Sequence, residues 1–129
     1  MKITRLENAA APVITDSGEK LFELIGNAEH LGSSKQLSLA RSIISPGTHS
    51  AAHFHKSSTE ILYILEGLGR LEVDGKSVEV KPGDVCLLES GEVHSLYNLA
   101  QNFDLELLAI TGPAWTPTDA FSVASDDNN

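Results

Sequence analysis

Short runs of alternating apolar and polar positions dominate this chain, and such alternation is typical of β-strands that rest one face on a core. The clearest pair covers residues 71–73 and 77–80, on either side of Asp74-Gly75. An Asp-Gly pair between two alternating segments is a strong hairpin signal. Similar runs between glycine, proline and other turn residues predict further strands. The predicted strands are 20–25, 36–45, 51–55, 60–65, 69–73, 77–80, 85–89, 93–99 and 104–111.

Long helical periodicity is absent from the sequence. One short helix is predicted near Thr116-Pro117, because threonine is a good N-cap and proline suits the first helical position. Strands at regular spacing predict an all-β fold, which is a sandwich, a jelly roll or a barrel. The 129 residues suit one domain. We expect its barrel at about 20–112 and a disordered tail at 124–129.

Composition narrows the classes of function. Hydrophobic residues make up 41% of the chain, enough for a core, and Cys86 is the only cysteine, so any metal must take nitrogen and oxygen ligands. The formal net charge is −9, and the lysines and arginines are scattered singly, which argues against a nucleic-acid partner. The apolar runs are too short for a membrane span, and the N-terminus has no signal-peptide pattern. We therefore expect a soluble, cytoplasmic protein.

The candidate chemistry lies in a His-x-His pair. Side chains two apart on a strand face the same way, so His53 and His55 point together, with backbones about 6–7 Å apart. Glu60 opens the next predicted strand and can return a carboxylate toward them, and His94 must come from a neighbouring strand. Three imidazoles and one carboxylate suit a divalent transition metal. Manganese or iron is favoured, and nickel, zinc or copper is possible.

Two spaced motifs carry a family resemblance. Gly47, His53, His55, Glu60 and Gly67 form the first motif. The second, after fifteen intervening residues, consists of Gly83, Glu89, Gly91, His94 and Asn98. This pattern resembles the cupin superfamily, in its small single-domain "cupin 2" form, at every position except Glu89, where the family usually has proline. The resemblance implies a double-stranded β-helix (jelly-roll) barrel, metal ligation by the three histidines and Glu60, and a homodimer.

Three further residues are candidates for a substrate pocket. His49 shares strand parity with His53 and could touch substrate, or it could be a solvent-facing loop histidine. Arg41 alternates with apolar residues and could point inward to hold an anion, or it could form a salt bridge at an edge. Asn98 lies on the same strand face as His94 and could bond near the site or support a turn. Trp115, the only tryptophan, could cover the barrel or a dimer seam.

Four protein ligands would leave an octahedral ion with about two open positions. We therefore expect a metalloenzyme that acts on a small oxygen-rich substrate, of the dioxygenase, isomerase, decarboxylase or lyase type. No second catalytic base stands out in the sequence, so the reaction type stays open. The alternative is a metal-dependent sensor or ligand-binding protein without turnover. A purely structural metal is the weakest hypothesis, because such sites are usually closed, four-coordinate zinc sites with cysteine.

Overall fold

The computed structural model describes residues 1–9, 11–26 and 32–123. The predicted disordered tail, 124–129, lies outside the described residues. The elements are β1 (Val13–Ile14), β2 (Lys20–Gly26), β3 (Gly32–Ser33), β4 (Ser38–Ile44), β5 (His53–His55), β6 (Thr59–Glu66), β7 (Gly69–Val73), β8 (Lys76–Val80), β9 (Val85–Leu88), β10 (His94–Asn98), β11 (Leu105–Gly112) and β12 (Ala120–Ser122), with 3-10 helices at Leu6–Asn8 and Pro117–Asp119. No helix in this described part is long and apolar enough to span a membrane.

The strands form two sheets. The larger follows the order β1-β2-β4-β11-β6-β9, with β3 added to β2, and the smaller follows β12-β5-β10-β7-β8. Neighbouring strands are antiparallel except for the short β2–β3 pair. This confirms the predicted all-β jelly-roll barrel of the cupin type.

The core lies between the two sheets, because alternate residues of each strand turn inward. In β6 the even-numbered residues 60, 62 and 64 are buried while 59, 61 and 63 are exposed. Side chains from both sheets join one apolar cluster, which places the sheets face to face. Its members are Ile44, Leu62, Ile64, Leu71, Val80, Leu88, Leu96, Leu105 and Leu107.

Two turns show why particular residues are needed. Asp74 and Gly75 both have positive φ, at 48° and 82°, and they join β7 to β8 as the hairpin that the Asp-Gly pair predicts. Gly67 has φ +95°, and a Cβ there would lie 2.6 Å from the carbonyl oxygen of Asp104. Only glycine fits this contact between the β6–β7 turn and the residue that precedes β11.

The structure differs from the predicted elements mainly at the ends of the chain. The nine predicted strands are present, with shifted ends, while β1, β3 and β12 were not predicted. The helix after Thr116 is a single 3-10 turn, Pro117–Asp119, and the Thr116 side chain does not cap it. Its hydroxyl is instead hydrogen-bonded to that of Thr118. Strands of two or three residues carry too little alternation to be recognised.

Candidate metal centre

Two adjacent strands of the smaller sheet bring the three histidines together. His53 and His55 are the ends of β5, and His94 begins β10. In the antiparallel register of these strands, His94 lies directly opposite His53. The alternation that places His53 and His55 on one face therefore also places His94 beside them. Phe54, between the two, stacks on Phe121 at 5.3 Å, on the other face of the strand.

The three rings are close enough to share one ion. Their centroids are 5.1 Å apart for His53 and His55, 4.3 Å for His53 and His94, and 5.7 Å for His55 and His94. One ring nitrogen from each lies within 4.8 Å of the other two. Metal–nitrogen bonds of about 2.0–2.1 Å put neighbouring ligands about 3 Å apart and opposite ligands about 4 Å apart. Only small side-chain adjustments would be needed to coordinate an ion.

Glu60 comes from the other sheet and completes the cluster. It lies on β6, whose inward face looks across the barrel to β5 and β10. One carboxylate oxygen is 3.5 Å from His55 Nε2, and the other is 3.3 Å from His94 Nε2. The Thr111 hydroxyl donates a hydrogen bond of 3.1 Å to Oε2. The carboxylate is thus held between β11 and the two imidazoles.

Carbonyl groups orient two of the rings. Nδ1 of His53 lies 2.8 Å from the Ala51 oxygen, and Nδ1 of His94 lies 3.1 Å from the Glu92 oxygen. A ring nitrogen that faces a carbonyl carries the proton and donates it, so Nε2 keeps its lone pair. In both residues this assigns the free lone pair to the nitrogen available for a metal.

Burial and charge also suit a cation. Nε2 of His55 and Nε2 of His94 are buried and have no hydrogen-bond partner of good geometry in the described part of the chain, which is costly unless another group, such as a metal ion, satisfies them. Burial acts to raise the pKa of Glu60, but His55 and His94 outweigh it and hold that pKa well below its ordinary value. Glu60 is therefore a carboxylate at neutral pH.

The pKa values of His53 and His55 are shifted in opposite directions. Burial lowers the pKa of His53, and the nearby His94 lowers it further, which favours the neutral ring that a metal requires. Burial acts to lower the pKa of His55 as well, but the Glu60 carboxylate outweighs it and raises that pKa. At His55 a metal ion would take the place that a proton otherwise holds beside Glu60.

A cavity of about 110 Å³ opens beside the cluster, between the two sheets. Sequence reasoning missed two of its lining residues, Glu19 and Glu23, whereas Trp115, which was considered as a cover of the barrel, does line the cavity. Glu19 accepts a hydrogen bond of 2.6 Å from the Ser42 hydroxyl. Parity along β2 puts Glu19 and Glu23 on one face, but the run KLFELI has apolar residues on both faces and so does not reveal which face is inward. The full lining is Val13, Glu19, Leu21, Glu23, Ser38, Ala40, Ser42, Ser50, His53, His55, Glu60, Leu62, His94, Leu96, Leu107, Ala109, Thr111 and Trp115.

The segment after β11 holds the site from outside. β12 pairs with β5 along its full length, from Ala120 opposite His55 to Ser122 opposite His53. Asp119 accepts four hydrogen bonds of 2.9–3.2 Å from the backbone N–H groups of residues 56–58. Those residues form the turn between His55 and Glu60. The C-terminal segment therefore fixes β5, which carries His53 and His55, and the turn that leads from β5 to Glu60 on β6.

The structure does not bring Arg41 into the cavity. The inward residues of β4 are Ser38, Ala40 and Ser42, so Arg41 points outward and forms an ion pair with Glu106. Of the two alternatives, the inward position is wrong; a salt bridge forms, but between the neighbouring strands β4 and β11 within the larger sheet rather than at its edge. The apolar neighbours that suggested an inward face belong to an outer face that is itself apolar, with Leu37 57% exposed.

The other two pocket candidates also lie outside the cavity lining. His49 is exposed, and its ring stacks on Tyr97 at 4.7 Å. Asn98 is buried but supports structure: its amide donates to the carbonyls of Ile44 and Phe103, both at 2.9 Å, and its oxygen accepts the Ala100 N–H at 2.8 Å. The structure therefore favours the solvent-facing alternative for His49 and the structural alternative for Asn98.

Comparison with known proteins agrees with this architecture. Residues 40–111 match the Cupin domain (Cupin_2). The chain is 46% identical over 71 residues to an oxalate-binding protein of Thermotoga maritima, a match over 55% of this chain and 58% of that protein. It is 33% identical to an uncharacterised protein of Methanocaldococcus jannaschii over 92% of this chain and 94% of the relative.

A solved structure has the same fold. A predicted oxalate decarboxylase from Thermotoga maritima superposes with a TM-score of 0.72 at 33% identity, covering 85% of this chain and 97% of that one. The matched region, residues 40–111, contains the three histidines of the site, Glu60 and most strands of both sheets. The chain therefore belongs to the cupin superfamily.

Proposed function

We propose that this protein binds one divalent transition metal through His53, His55, His94 and Glu60, and that it acts on a small oxygen-rich molecule bound at that metal. Manganese or iron is the favoured ion, because a set of three imidazoles and one carboxylate suits both. The observation that carries the proposal is the convergence of three histidine nitrogens within 4.8 Å, next to a cavity that can hold a ligand.

The cavity distinguishes this site from a closed structural metal site. A structural metal site surrounds its ion with protein ligands, whereas here the donors come from both sheets and border an open cavity between them. A bound ion would supply Lewis-acid polarisation of a substrate oxygen or, with iron or manganese, redox chemistry. The chain itself contributes orientation through the Ala51 and Glu92 carbonyls, negative charge at Glu60, and a largely apolar wall that limits water.

Metal binding can be tested with a matched pair of histidine variants. We expect His53→Ala to lower the affinity for Mn²⁺ at least about a hundredfold, since it removes a direct ligand. His49→Ala is the control, because that histidine is exposed and outside the cavity. Elemental analysis and calorimetric titration would measure stoichiometry and affinity. Stoichiometric, tight metal in the folded His53→Ala protein would contradict the ligand assignment.

An assay for substrate turnover distinguishes an enzyme from a protein that only binds its ligand. The match to an oxalate-binding protein supports a second candidate function, which is metal-dependent ligand binding without turnover. Metal-loaded protein can be assayed for oxygen consumption with flavonol, diketone and thiol substrates, and under nitrogen for isomerase, lyase or decarboxylase products. Product formation that is lost in His53→Ala supports the enzyme. Saturable ligand binding without product across the panel supports the binding protein.

We also propose that the protein forms a homodimer through the outer face of the larger sheet. Cross-strand pairs on β6 and β9 expose apolar side chains there: Ile61 faces Leu87, and Tyr63 faces Val85. Their exposed fractions are 36%, 61%, 40% and 60%. A contiguous apolar face at a sheet edge is a typical contact surface, and a second copy of the chain brings an identical face.

Sedimentation equilibrium would test the dimer. We expect the wild-type chain to sediment at twice its own mass and Leu87→Asp to sediment as a monomer. Val78→Asp is the matched control, because Val78 is 57% exposed on β8 of the other sheet. A monomeric wild type, or dissociation by the Val78 change alone, would argue against this interface.

A further inference from the structure

We infer that the cavity is built for an uncharged ligand bearing hydroxyl and carbonyl oxygens and that it discriminates against small dicarboxylates, because Glu19 and Glu23 share the lining with the metal centre. The inference rests on the proposed metal site, since it concerns what that site accepts. On this inference the cavity selects against oxalate, the dicarboxylate that appears in the names of two similar proteins.

Glu19 places a carboxyl group at the cavity wall with one oxygen already fixed. The Ser42 hydroxyl donates to its Oε2 at 2.6 Å, so Oε1 is the atom left for a ligand. Burial raises the pKa of Glu19, against the effect of the Ser42 hydrogen bond, and the charge of Glu60 adds to the rise. Such a carboxyl can accept a hydrogen bond from a hydroxyl group or, once protonated, donate one to a carbonyl oxygen.

Glu23 brings a second carboxylate, four residues further along the chain than Glu19 and on the same strand face. Among the described residues its Oε1 is buried without a hydrogen-bond partner, so the charge of this carboxylate is poorly compensated at the cavity wall. The neighbouring Gly26 makes room for it, because a Cβ at Gly26 would lie 1.8 Å from this oxygen. The fold therefore accommodates Glu23, which adds a second carboxylate to the lining.

Positive charge is missing from the lining described above. It contains no lysine or arginine, and Arg41 is engaged with Glu106 on the outer face. A divalent ion with Glu60 leaves one net positive charge, which Glu19 and Glu23 together can cancel or reverse. A dianion would meet the Glu23 carboxylate, and Glu19 in its ionised form, in a medium that screens charge poorly. A neutral hydroxyl-bearing molecule meets acceptors instead.

The volume of the cavity also limits the size of the ligand. A cavity of about 150 Å³ holds benzene, which has six non-hydrogen atoms, so the 110 Å³ here makes about six non-hydrogen atoms the upper limit for an enclosed ligand. Leu21, Leu62 and Leu107 supply apolar wall for its carbon atoms. A three-carbon hydroxy-carbonyl compound has this size, two oxygens suited to a metal, and hydroxyl protons for Glu19 and Glu23.

Probes of equal size and graded charge give a direct test. Oxalate, oxamate and dihydroxyacetone each have about six non-hydrogen atoms and carry two, one and no negative charges. Their dissociation constants are measured by calorimetry on Mn²⁺-loaded wild type, Glu19→Gln, Glu23→Gln and the double variant at neutral pH. Comparing each probe between proteins removes its intrinsic affinity for the metal.

We expect the double variant to bind oxalate about a hundredfold tighter than wild type and oxamate about tenfold tighter. Dihydroxyacetone should bind severalfold more weakly, because it loses its acceptors. Glu79→Gln, which removes one exposed charge from β8, should change none of these values. Equal affinities for oxalate in the double variant and wild type would overturn the inference, as would tighter dihydroxyacetone binding in the double variant.

Metal content, measured on every sample, keeps the two proposals distinct. If wild type fails to bind Mn²⁺, the proposed function fails. If all proteins hold one equivalent of metal but oxalate affinity does not depend on Glu19 and Glu23, only the ligand class is wrong. The two single variants keep the test available if the double variant does not fold, and each should show part of the oxalate effect.

Discussion

Replacing Asp119 should loosen the turn between His55 and Glu60 without touching a candidate ligand. Its carboxylate accepts hydrogen bonds from the N–H groups of Lys56, Ser57 and Ser58 at 3.1, 2.9 and 3.1 Å, with a further contact of 3.2 Å to Ser57. Hydrogen bonds to charged groups contribute about 1.5–3 kcal/mol each when well buried. Because these are largely exposed, and water replaces them when they are lost, Asp119→Ala should cost about 1–3 kcal/mol in total.

Two readouts follow from that change. Urea unfolding of metal-free protein should show the loss of stability as a lower midpoint at an unchanged slope. Metal affinity should fall about tenfold, as it does when other groups are removed that position the ligands without contacting the metal. Asp104→Ala is the control, since Asp104 is an exposed carboxylate whose side chain has no such role. If Asp119→Ala and Asp104→Ala are equally stable and bind metal equally well, the turn is not held by Asp119.

The pH dependence has a definite sign. Burial acts to raise the pKa of Asp119, but the hydrogen bonds from Ser57 and Ser58 outweigh it and hold that pKa below its ordinary value. A depressed pKa in the folded state means that the stabilisation is complete above the unfolded pKa of about 3.9. It is lost as the pH falls through the lower folded value. The stability gap to Asp119→Ala should therefore be constant near neutral pH and shrink below about pH 4.

Three further experiments test the fold. Gly67→Ala should destabilise far more than Gly83→Ala in urea unfolding: both residues have positive φ, but only at Gly67 would the Cβ lie against backbone, 2.6 Å from the Asp104 oxygen. Equal losses would contradict the close contact. Leu105→Ala should cost about 2–5 kcal/mol, because Leu105 is fully buried in the core; a loss under 1 kcal/mol would argue against that packing. Burial raises the pKa of the Cys86 thiol, so its reaction with a disulfide reagent at pH 7 should be slow and should accelerate on unfolding.

The sequence predicts the barrel well because its signals are local. Alternation along β6 and β7, and the Asp74-Gly75 turn, are visible within a few residues and correspond to observed elements. The convergence of His94 on His53 was predictable only through the family motifs, since 41 residues separate them. At Glu89, where the family usually has proline, the backbone N–H donates to Glu92 at 2.7 Å, so a hydrogen bond holds the turn that proline would stiffen.

The rest of the cavity could not be predicted because it depends on which face of a strand is inward. In the larger sheet both faces are partly apolar, so parity alone could not decide whether Arg41 points inward and gave no reason to select Glu19 or Glu23. The contact of Asp119 with the turn 56–58 spans more than sixty residues and carries no local pattern. Distant pairings of this kind require the three-dimensional structure.

The central claim is that His53, His55, His94 and Glu60 hold one ion. A crystal of the Mn²⁺-loaded protein, with diffraction recorded above the manganese absorption edge, tests it most directly. We predict one strong anomalous peak per chain, about 2.0–2.2 Å from Nε2 of each histidine and from a Glu60 oxygen. A strongest peak outside the cavity, or an ion that contacts fewer than two of these histidines, would contradict the account.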